Sequence, residues 1–236
     1  MVLDTVDSTM AEAARRAPDI ERPTWIIART QTAARGRRGR AWVVPEGNLN
    51  ATLIFRPEAS PAEAAKRSFL AANALFQALS IYAPVDSLAL KWPNDVLLAG
   101  GKVAGILLES SGQGPFVDWL SVGIGVNLKH TPTGVADAAF PPTSVFEETE
   151  IDIAPQDFLA TLADAYATQE AKLMRLGFGR IRDDWMANAA RLGEEISART
   201  SREEITGIFD SIDNEGNLVL ITATGPRAIP AADVYF

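Results

Sequence analysis

Six residues, RGRRGR from Arg35 to Arg40, carry four arginines, and the two glycines between them work against a stable helix. Apolar, partly β-branched runs of strand length stand on either side, TWIIART (Thr24–Thr30) and NATLIFR (Asn50–Arg56). The segment from Gln31 to Asn48 is therefore expected to be a loop joining two strands, and the fold must put it where concentrated positive charge has something to hold. The rest of the chain is acidic, with a formal net charge of −8, so general affinity for a phosphate polymer is not expected. The arginines act locally. Guanidinium groups bind phosphate and carboxylate through paired donors, and glycines let backbone N–H groups approach an anion closely, which suits a small polyanionic ligand. An RG-rich RNA-binding segment and an incidentally charged solvated loop are the competing readings of the same residues.

The 236 residues suffice for a sizeable core, as one large domain or as a domain with a small appendage. There is no cysteine, which excludes a disulfide framework, a thiolate metal site and a cysteine nucleophile. His130, in the loop sequence KHTPTG, is the only histidine, so neither a histidine-rich zinc site nor a Ser-His-Asp triad is expected, and it is assigned no chemistry. MVLDTVDSTM lacks a basic flank before a long apolar run, and no stretch approaches the roughly 20 apolar residues of a bilayer span. A cytoplasmic protein without membrane partners is the expectation.

Ser8–Ala17 reads as a short helix, with Thr9 as N-cap and Glu12 completing a capping box. PAEAAKRSFLAANALFQAL reads as one core-packed helix from Pro61. LALKWPNDVLLAGGKVAGILLES holds apolar runs joined by a two-residue turn at Gly100-Gly101, FVDWLSVGIGVNL alternates as a strand does, and Lys129–Glu150 reads as a long loop. Helices are expected over Pro155–Leu176 and Phe178–Leu192. From Gly193 onward four short strands follow, with DNEG as a hairpin turn, and strands so short need one another.

Two further stretches bear on chemistry. KWPND (Lys91–Asp95) puts a cation, an indole and two polar side chains around a turn-forming proline. Lys102 follows a glycine turn and precedes the apolar VAGILLE, which makes it either a snorkelling edge lysine or an ammonium aimed at an anion.

Taken together, DST (Asp7–Thr9), QTAARGRRGRAW (Gln31–Trp42), LKWPNDV (Leu90–Val96), GKVAGIL (Gly101–Leu107) and GIGVNL (Gly123–Leu128) resemble, in order and spacing, the motifs of the biotin protein ligase family. The resemblance implies an α+β fold. It consists of a mixed β-sheet catalytic domain with packed helices, of the class II aminoacyl-tRNA synthetase and biotin ligase type, over residues 1–192, and a small SH3-like β-barrel over residues 193–236. It also implies a reaction. The carboxylate of biotin attacks the α-phosphate of ATP, giving biotinyl-5′-AMP and pyrophosphate with Mg²⁺ as cofactor. A lysine amine of the biotin carboxyl carrier domain of a biotin-dependent carboxylase then attacks the mixed anhydride. An anion must approach a polyanion in the first step, which gives the arginines their purpose.

By resemblance, Ser8, Thr9 and Gln31 hydrogen-bond the ureido ring of biotin, Arg35 belongs to the segment folding over biotin, and Gly105 lets the backbone approach it. Arg37 and Lys102 flank the reacting carboxylate and α-phosphate. Arg38 and Arg40 contact phosphates, Trp42 and Asn127 fall on the nucleotide side, and Asn94 and Asp95 support the site. No direct metal motif is present. Three positions depart from the family pattern: Ala34 and Ala232 replace glycines, and Met10 stands where asparagine is usual. Ala34 is expected to restrict the loop or crowd biotin. The catalytic motifs begin at Asp7, so an N-terminal helix-turn-helix and operator binding are not expected, nor is a nucleic-acid partner; a monomer or a homodimer fits equally. The alternatives are a lipoate or octanoate ligase, whose glycine-rich motif carries a histidine unlike RGRRGRAW, and a non-catalytic module that sequesters biotin.

Overall fold

Alternation along one strand organises the molecule. In LNATLIF (β3, Leu49–Phe55) the side chains of Leu49, Ala51, Leu53 and Phe55 enter the main core, while Asn50, Thr52 and Ile54 turn to the opposite face. All seven residues are buried, as a central strand demands. The computed structural model describes residues 1–43, 45–134 and 140–236. Val44 of the arginine loop and residues 135–139 of the loop expected over Lys129–Glu150 lie outside the described residues.

On one side β3 pairs antiparallel with β2 (Thr24–Gln31), which in turn pairs parallel with β1 (Val2–Val6). On the other side β3 pairs with β7 (Trp119–Val126), followed by β6 (Gly101–Ser111), β5 (Asp95–Leu98) and β4 (Leu88–Lys91), all antiparallel. The result is a seven-stranded mixed sheet in the order β1-β2-β3-β7-β6-β5-β4. One face packs against α3 (Arg67–Leu79), α5 (Pro155–Leu176) and α6 (Phe178–Met186), and the other against α1 (Thr9–Arg16), whose Ala13 meets Ile26 and Ile54 in a smaller cluster. On that face α1 covers only β2, β3 and β7, which leaves room beside it over the neighbouring strands.

Several local expectations shift. The N-cap of α1 is Ser8, whose Oγ accepts from Met10 N at 3.2 Å, and Thr9 is the first helical residue. Glu12 instead binds Arg15 and Arg16, so no capping box forms. The helix expected from Pro61 divides at Lys66 into α2 (Pro61–Ala65) and α3. The β5–β6 turn consists of Ala99 and Gly100, with φ of 50° and 81°, the left-handed pair that a two-residue hairpin requires, and Gly101 already lies in β6. The loop after β7 contains α4 (Val145–Thr149), capped by the Ser144 side chain, and α6 ends six residues short of Leu192.

The C-terminal segment departs most from expectation. It contains β8 (Glu195–Arg199), β9 (Glu204–Ile212), β10 (Leu218–Thr222), β11 (Gly225–Ile229) and β12 (Asp233–Tyr235), five strands because PRAIPAADVYF breaks after Ile229. These form an antiparallel sheet in the order β11-β10-β9-β8-β12. The expected barrel is not formed: among the described residues no ladder joins β11 to β12, and the sheet stays open. β12 is only three residues long and pairs all of them with β8, and Pro230, which begins its approach, has no N–H to extend the β11 edge.

Aromatic packing seats this sheet on the larger unit. Trp185 of α6 is 1% exposed and lies edge-on to Phe69 at 5.5 Å and near Phe209 of β9 at 6.5 Å between centroids. Trp92 donates its indole N–H to Gly216 O at 3.2 Å, gripping the β9–β10 hairpin. Trp185→Ala is therefore expected to cost about 3–5 kcal/mol, read from urea unfolding followed by circular dichroism. A loss below 1 kcal/mol would mean that the aromatic seat is not what holds the two sheets.

Candidate functional site

On the α1 face of the large sheet, β6 and β7 present Gly105, Gly123 and Gly125 to a cavity of about 490 Å³. At two of these positions an added side chain would displace a neighbour. A Cβ on Gly125 would lie 2.5 Å from Trp42 Nε1, and one on Gly123 would lie 2.6 Å from Met10 Sδ. The indole thus rests flat on backbone, and Met10 fills the space beneath α1 where a polar residue was the family expectation.

One end of the cavity is polar. Thr9 donates to Gln31 Oε1 through its N–H at 2.7 Å and its hydroxyl at 3.1 Å, and Thr52 Oγ1 donates to Thr9 Oγ1 at 2.8 Å. Ser8 and Thr9 are both buried. With the Gln31 oxygen engaged twice, its NH₂ remains for a ligand acceptor.

The other end is cationic, and a bulge makes it so. In the β5–β6 ladder Val96 pairs with Ala104 but Leu97 pairs with Lys102, leaving Val103 as the extra residue. Asp95 pairs with Gly105, and cross-strand partners share a face, so the bulge turns Lys102 onto the same face as Asp95 and Gly105. Without it Lys102 would point into the helix-covered core. Lys102 Nζ sits 2.6 Å from Asp95 Oδ1, in charge contact rather than an aligned hydrogen bond, and 5.4 Å from the Trp42 ring. Lys91 Nζ, 3.6 Å from Asp95 Oδ2, is buried beside Phe140. Burial pushes the Asp95 carboxyl up, but Lys102, Lys91 and Arg37 together outweigh it and hold the group below the usual carboxylate range. Burial pulls Lys91 and Arg37 down from their ordinary values, against the attraction of nearby carboxylates.

The arginine loop is a small hairpin. Gly36 N donates to Arg40 O at 2.8 Å and Trp42 N to Ala34 O at 3.0 Å, and the turn is made by Arg38 and Gly39 with φ of 57° and 72°. Ala34 lies outside the left-handed region, so its methyl imposes none of the expected restriction on the backbone. Arg37 enters the cavity and donates to Asn94 Oδ1 at 3.3 Å, while Asn94 Nδ2 donates to Ile106 O at 2.6 Å, so Asn94 braces the guanidinium against β6. Arg35 binds Glu109 at 2.9 Å on the outside. Arg38 and Arg40 both bind Asp233 of β12, Arg38 at 2.7 Å.

The residues singled out in the sequence thus converge on one cavity: Ser8, Thr9, Gln31, Arg35, Arg37, Arg40, Trp42, Asn94, Asp95, Lys102, Gly105 and Asn127 line it, and Arg38 does not. Asn127 is engaged internally, donating to Thr143 O at 2.9 Å and Lys102 O at 3.4 Å. Ala232 is wholly buried in the C-terminal core. Sequence reasoning missed Asp233, for which no local signal exists, and Asn50, whose polarity inside a largely apolar strand is a signal. With Arg35 taken up by Glu109, four cations, Arg37, Arg40, Lys91 and Lys102, face two carboxylates, Asp95 and Asp233, across the lining, so the cavity is built for an anion.

The family model described as biotin/lipoate A/B protein ligase family matches residues 2–127, and that of the biotin protein ligase C terminal domain matches residues 192–236. A biotin–acetyl-CoA-carboxylase ligase of Paracoccus denitrificans is 52% identical over 100% of this chain and 99% of its own length. A bifunctional ligase/repressor of Bacillus subtilis is 31% identical over 99% of this chain and 71% of its own. Among solved structures, a biotin protein ligase from Aquifex aeolicus in complex with biotin and ATP superposes with a TM-score of 0.85 at 25% identity, covering 99% of this chain and 97% of that one.

Because the folded Asp95 carboxyl lies below its unfolded value, the stability it contributes is complete above about pH 4 and is lost as pH falls through the lower folded value. Asp95→Asn is expected to destabilise by about 3–5 kcal/mol at pH 7, leaving Lys91 and Lys102 without a counter-charge, and the gap to wild type should close in acid. Urea melts from pH 7 to pH 3 measure both; a gap independent of pH would refute the ionic account.

Proposed function

The chain belongs to the biotin/lipoate A/B protein ligase family and is an ATP-dependent, AMP-forming ligase that activates biotin, and we propose how its residues divide that work. Biotin lies with its ureido ring at the Ser8, Thr9 and Gln31 end and its backbone-close edge on Gly105. Its carboxylate lies toward Arg37 and Lys102. ATP lies under the arginine loop near Trp42, with its phosphates toward Arg40 and Arg38. What carries this reading is the placement of Arg37 and Lys102 on one cavity, at the cationic end opposite the polar one.

The chemistry follows from the charges. A biotin carboxylate oxygen attacks the α-phosphorus, the bond to the bridging oxygen breaks, and pyrophosphate leaves. Arg37 and Lys102 stabilise charge on the carboxylate and the α-phosphate as the two anions meet, and because both are already held, by Asn94 and Asp95, little reorganisation is needed at that moment. Arg38 and Arg40 exchange the Asp233 carboxylate for phosphate oxygens. Asn94 and Asp95 are positioning residues. Asn127 acts on the nucleotide side through backbone it holds in place, since its own amide is engaged.

Mg²⁺ enters as part of the substrate Mg·ATP. Among the described residues no three acidic or histidine side chains cluster, and both carboxylates of the lining are held by cations, so the protein offers the ion no cage, and phosphate oxygens and water are its natural ligands. The acceptor is a lysine of a biotin carboxyl carrier domain, whose amine attacks the anhydride carbonyl and releases AMP. No helix is long and apolar enough to cross a membrane among the described residues.

ATP–pyrophosphate exchange with Mg²⁺ is expected with biotin and not with lipoate or octanoate. Arg37→Ala and Lys102→Ala should each lower that exchange by about 10²–10³-fold, the scale of removing one oriented donor from a developing charge. Exchange that persists in both variants, or that runs with lipoate, would overturn this assignment.

A further inference from the structure

Asn50 is 2% exposed, and neither its Nδ2 nor its Oδ1 has a hydrogen-bond partner. Among the described residues it is the only side chain with both polar ends buried and unpartnered; the amide of Asn73, by comparison, donates to Ile181 O at 2.9 Å. Asn50 lies opposite Gly125 in the β3–β7 ladder, on the face that carries Thr52, and it lines the cavity between the Thr9–Gln31 cluster and the Trp42 indole. Unlike Thr52 on the same face, which donates to Thr9 Oγ1 at 2.8 Å, the Asn50 amide makes no bond that would stabilise the fold, and a leucine of similar size would avoid the desolvation.

The neighbouring groups show what is lacking. At the polar end Gln31 Oε1 already accepts twice from Thr9, and Thr9 Oγ1 and Ser8 Oγ each already accept one donor, from Thr52 and from Met10 N, which leaves each hydroxyl a single lone pair. The donors left over there are the Gln31 NH₂ and the Ser8 hydroxyl. A cyclic urea presents two N–H donors and one carbonyl, so it needs strong acceptors as well as donors. Along this stretch of the lining, Asn50 Oδ1 is a buried side-chain acceptor with no donor at all.

Resting on the placement of biotin given above, we infer that Asn50 is a specificity-determining residue of this site. Its Oδ1 accepts a ring N–H of the urea, and its Nδ2 stands beside the urea oxygen. The pairing reads a donor next to an acceptor, an arrangement that a dithiolane or a plain acyl chain does not offer, so Asn50 selects a cyclic urea against other carboxylic acids of similar length.

The test compares wild type, Asn50→Leu and Asn50→Ser by calorimetric titration with biotin and with lipoate, alongside the melting temperature of each unliganded protein. A role in recognition gives opposite signs: Asn50→Leu weakens biotin by about 10–100-fold, leaves lipoate unchanged or tighter, and keeps or raises the melting temperature because an unpaired buried amide is gone. Asn50→Ser, which retains an acceptor, recovers part of the loss. Biotin affinity within twofold of wild type in Asn50→Leu removes this inference alone. So does a fall in melting temperature with equal losses for both acids, which marks a packing role. Wild type that binds no biotin removes the underlying placement and this inference with it.

Discussion

One buried carboxylate faces three cations, and the character of the site follows from that imbalance. Asp95 holds Lys102 and Lys91 and attracts Arg37, yet it can neutralise only one of them. Left alone, such a cluster would repel itself; it persists because each cation has a second anchor. Arg37 has the Asn94 amide, Lys91 the Phe140 ring and Lys102 the Trp42 ring. The residual positive charge is fixed in place before any ligand arrives, in a setting where burial strengthens each interaction.

Backbone geometry makes that cluster possible. The bulge at Val103 turns Lys102 from the core to the cavity, and the glycines at 123 and 125 remove the side chains that would otherwise occupy the space. Met10 and Trp42 then occupy the two seats so created, one under α1 and the other under the arginine hairpin. The floor of the cavity is main chain, whose position is set by ladder hydrogen bonds on both sides, and main chain has no rotamers to adjust. The shape of the site is thus a property of the sheet rather than of individual side chains.

Much of this was legible in the sequence where the signal was local. The arginine loop between two strands, the strands themselves, and the motifs that meet around the cavity could be read because each lies within a dozen residues of its own context. What could not be read depended on distant pairing. The face of Lys102 is decided by a register shift between β5 and β6, which no composition announces. The C-terminal strands were visible, but whether their sheet closes depends on a pairing of β11 with β12 that β12 is too short to make. The N-cap fell one residue from its expected place because Ser8 and Thr9 can both cap, serine somewhat better, and the tertiary bonds of Thr9 to Gln31 and Thr52 reinforce that choice. Asn50 carried a local signal in its polarity, whereas Asp233 was hidden by distance.

That distance shapes when the site acquires its selectivity. Arg38 and Arg40 meet Asp233 across nearly two hundred positions of chain. During synthesis the loop is made early and its counter-ion late, so a nascent chain exposes two uncommitted guanidinium groups to any anion in its surroundings. Once β12 has paired with β8, an incoming anion has to displace a tethered carboxylate that never diffuses away. On the phosphate contacts proposed above for Arg38 and Arg40, chloride or a single carboxylate has no advantage in that exchange, whereas a chain of phosphates would engage both arginines at once. On that proposal, discrimination between polyvalent and monovalent anions would belong to the completed fold and not to the arginine sequence itself.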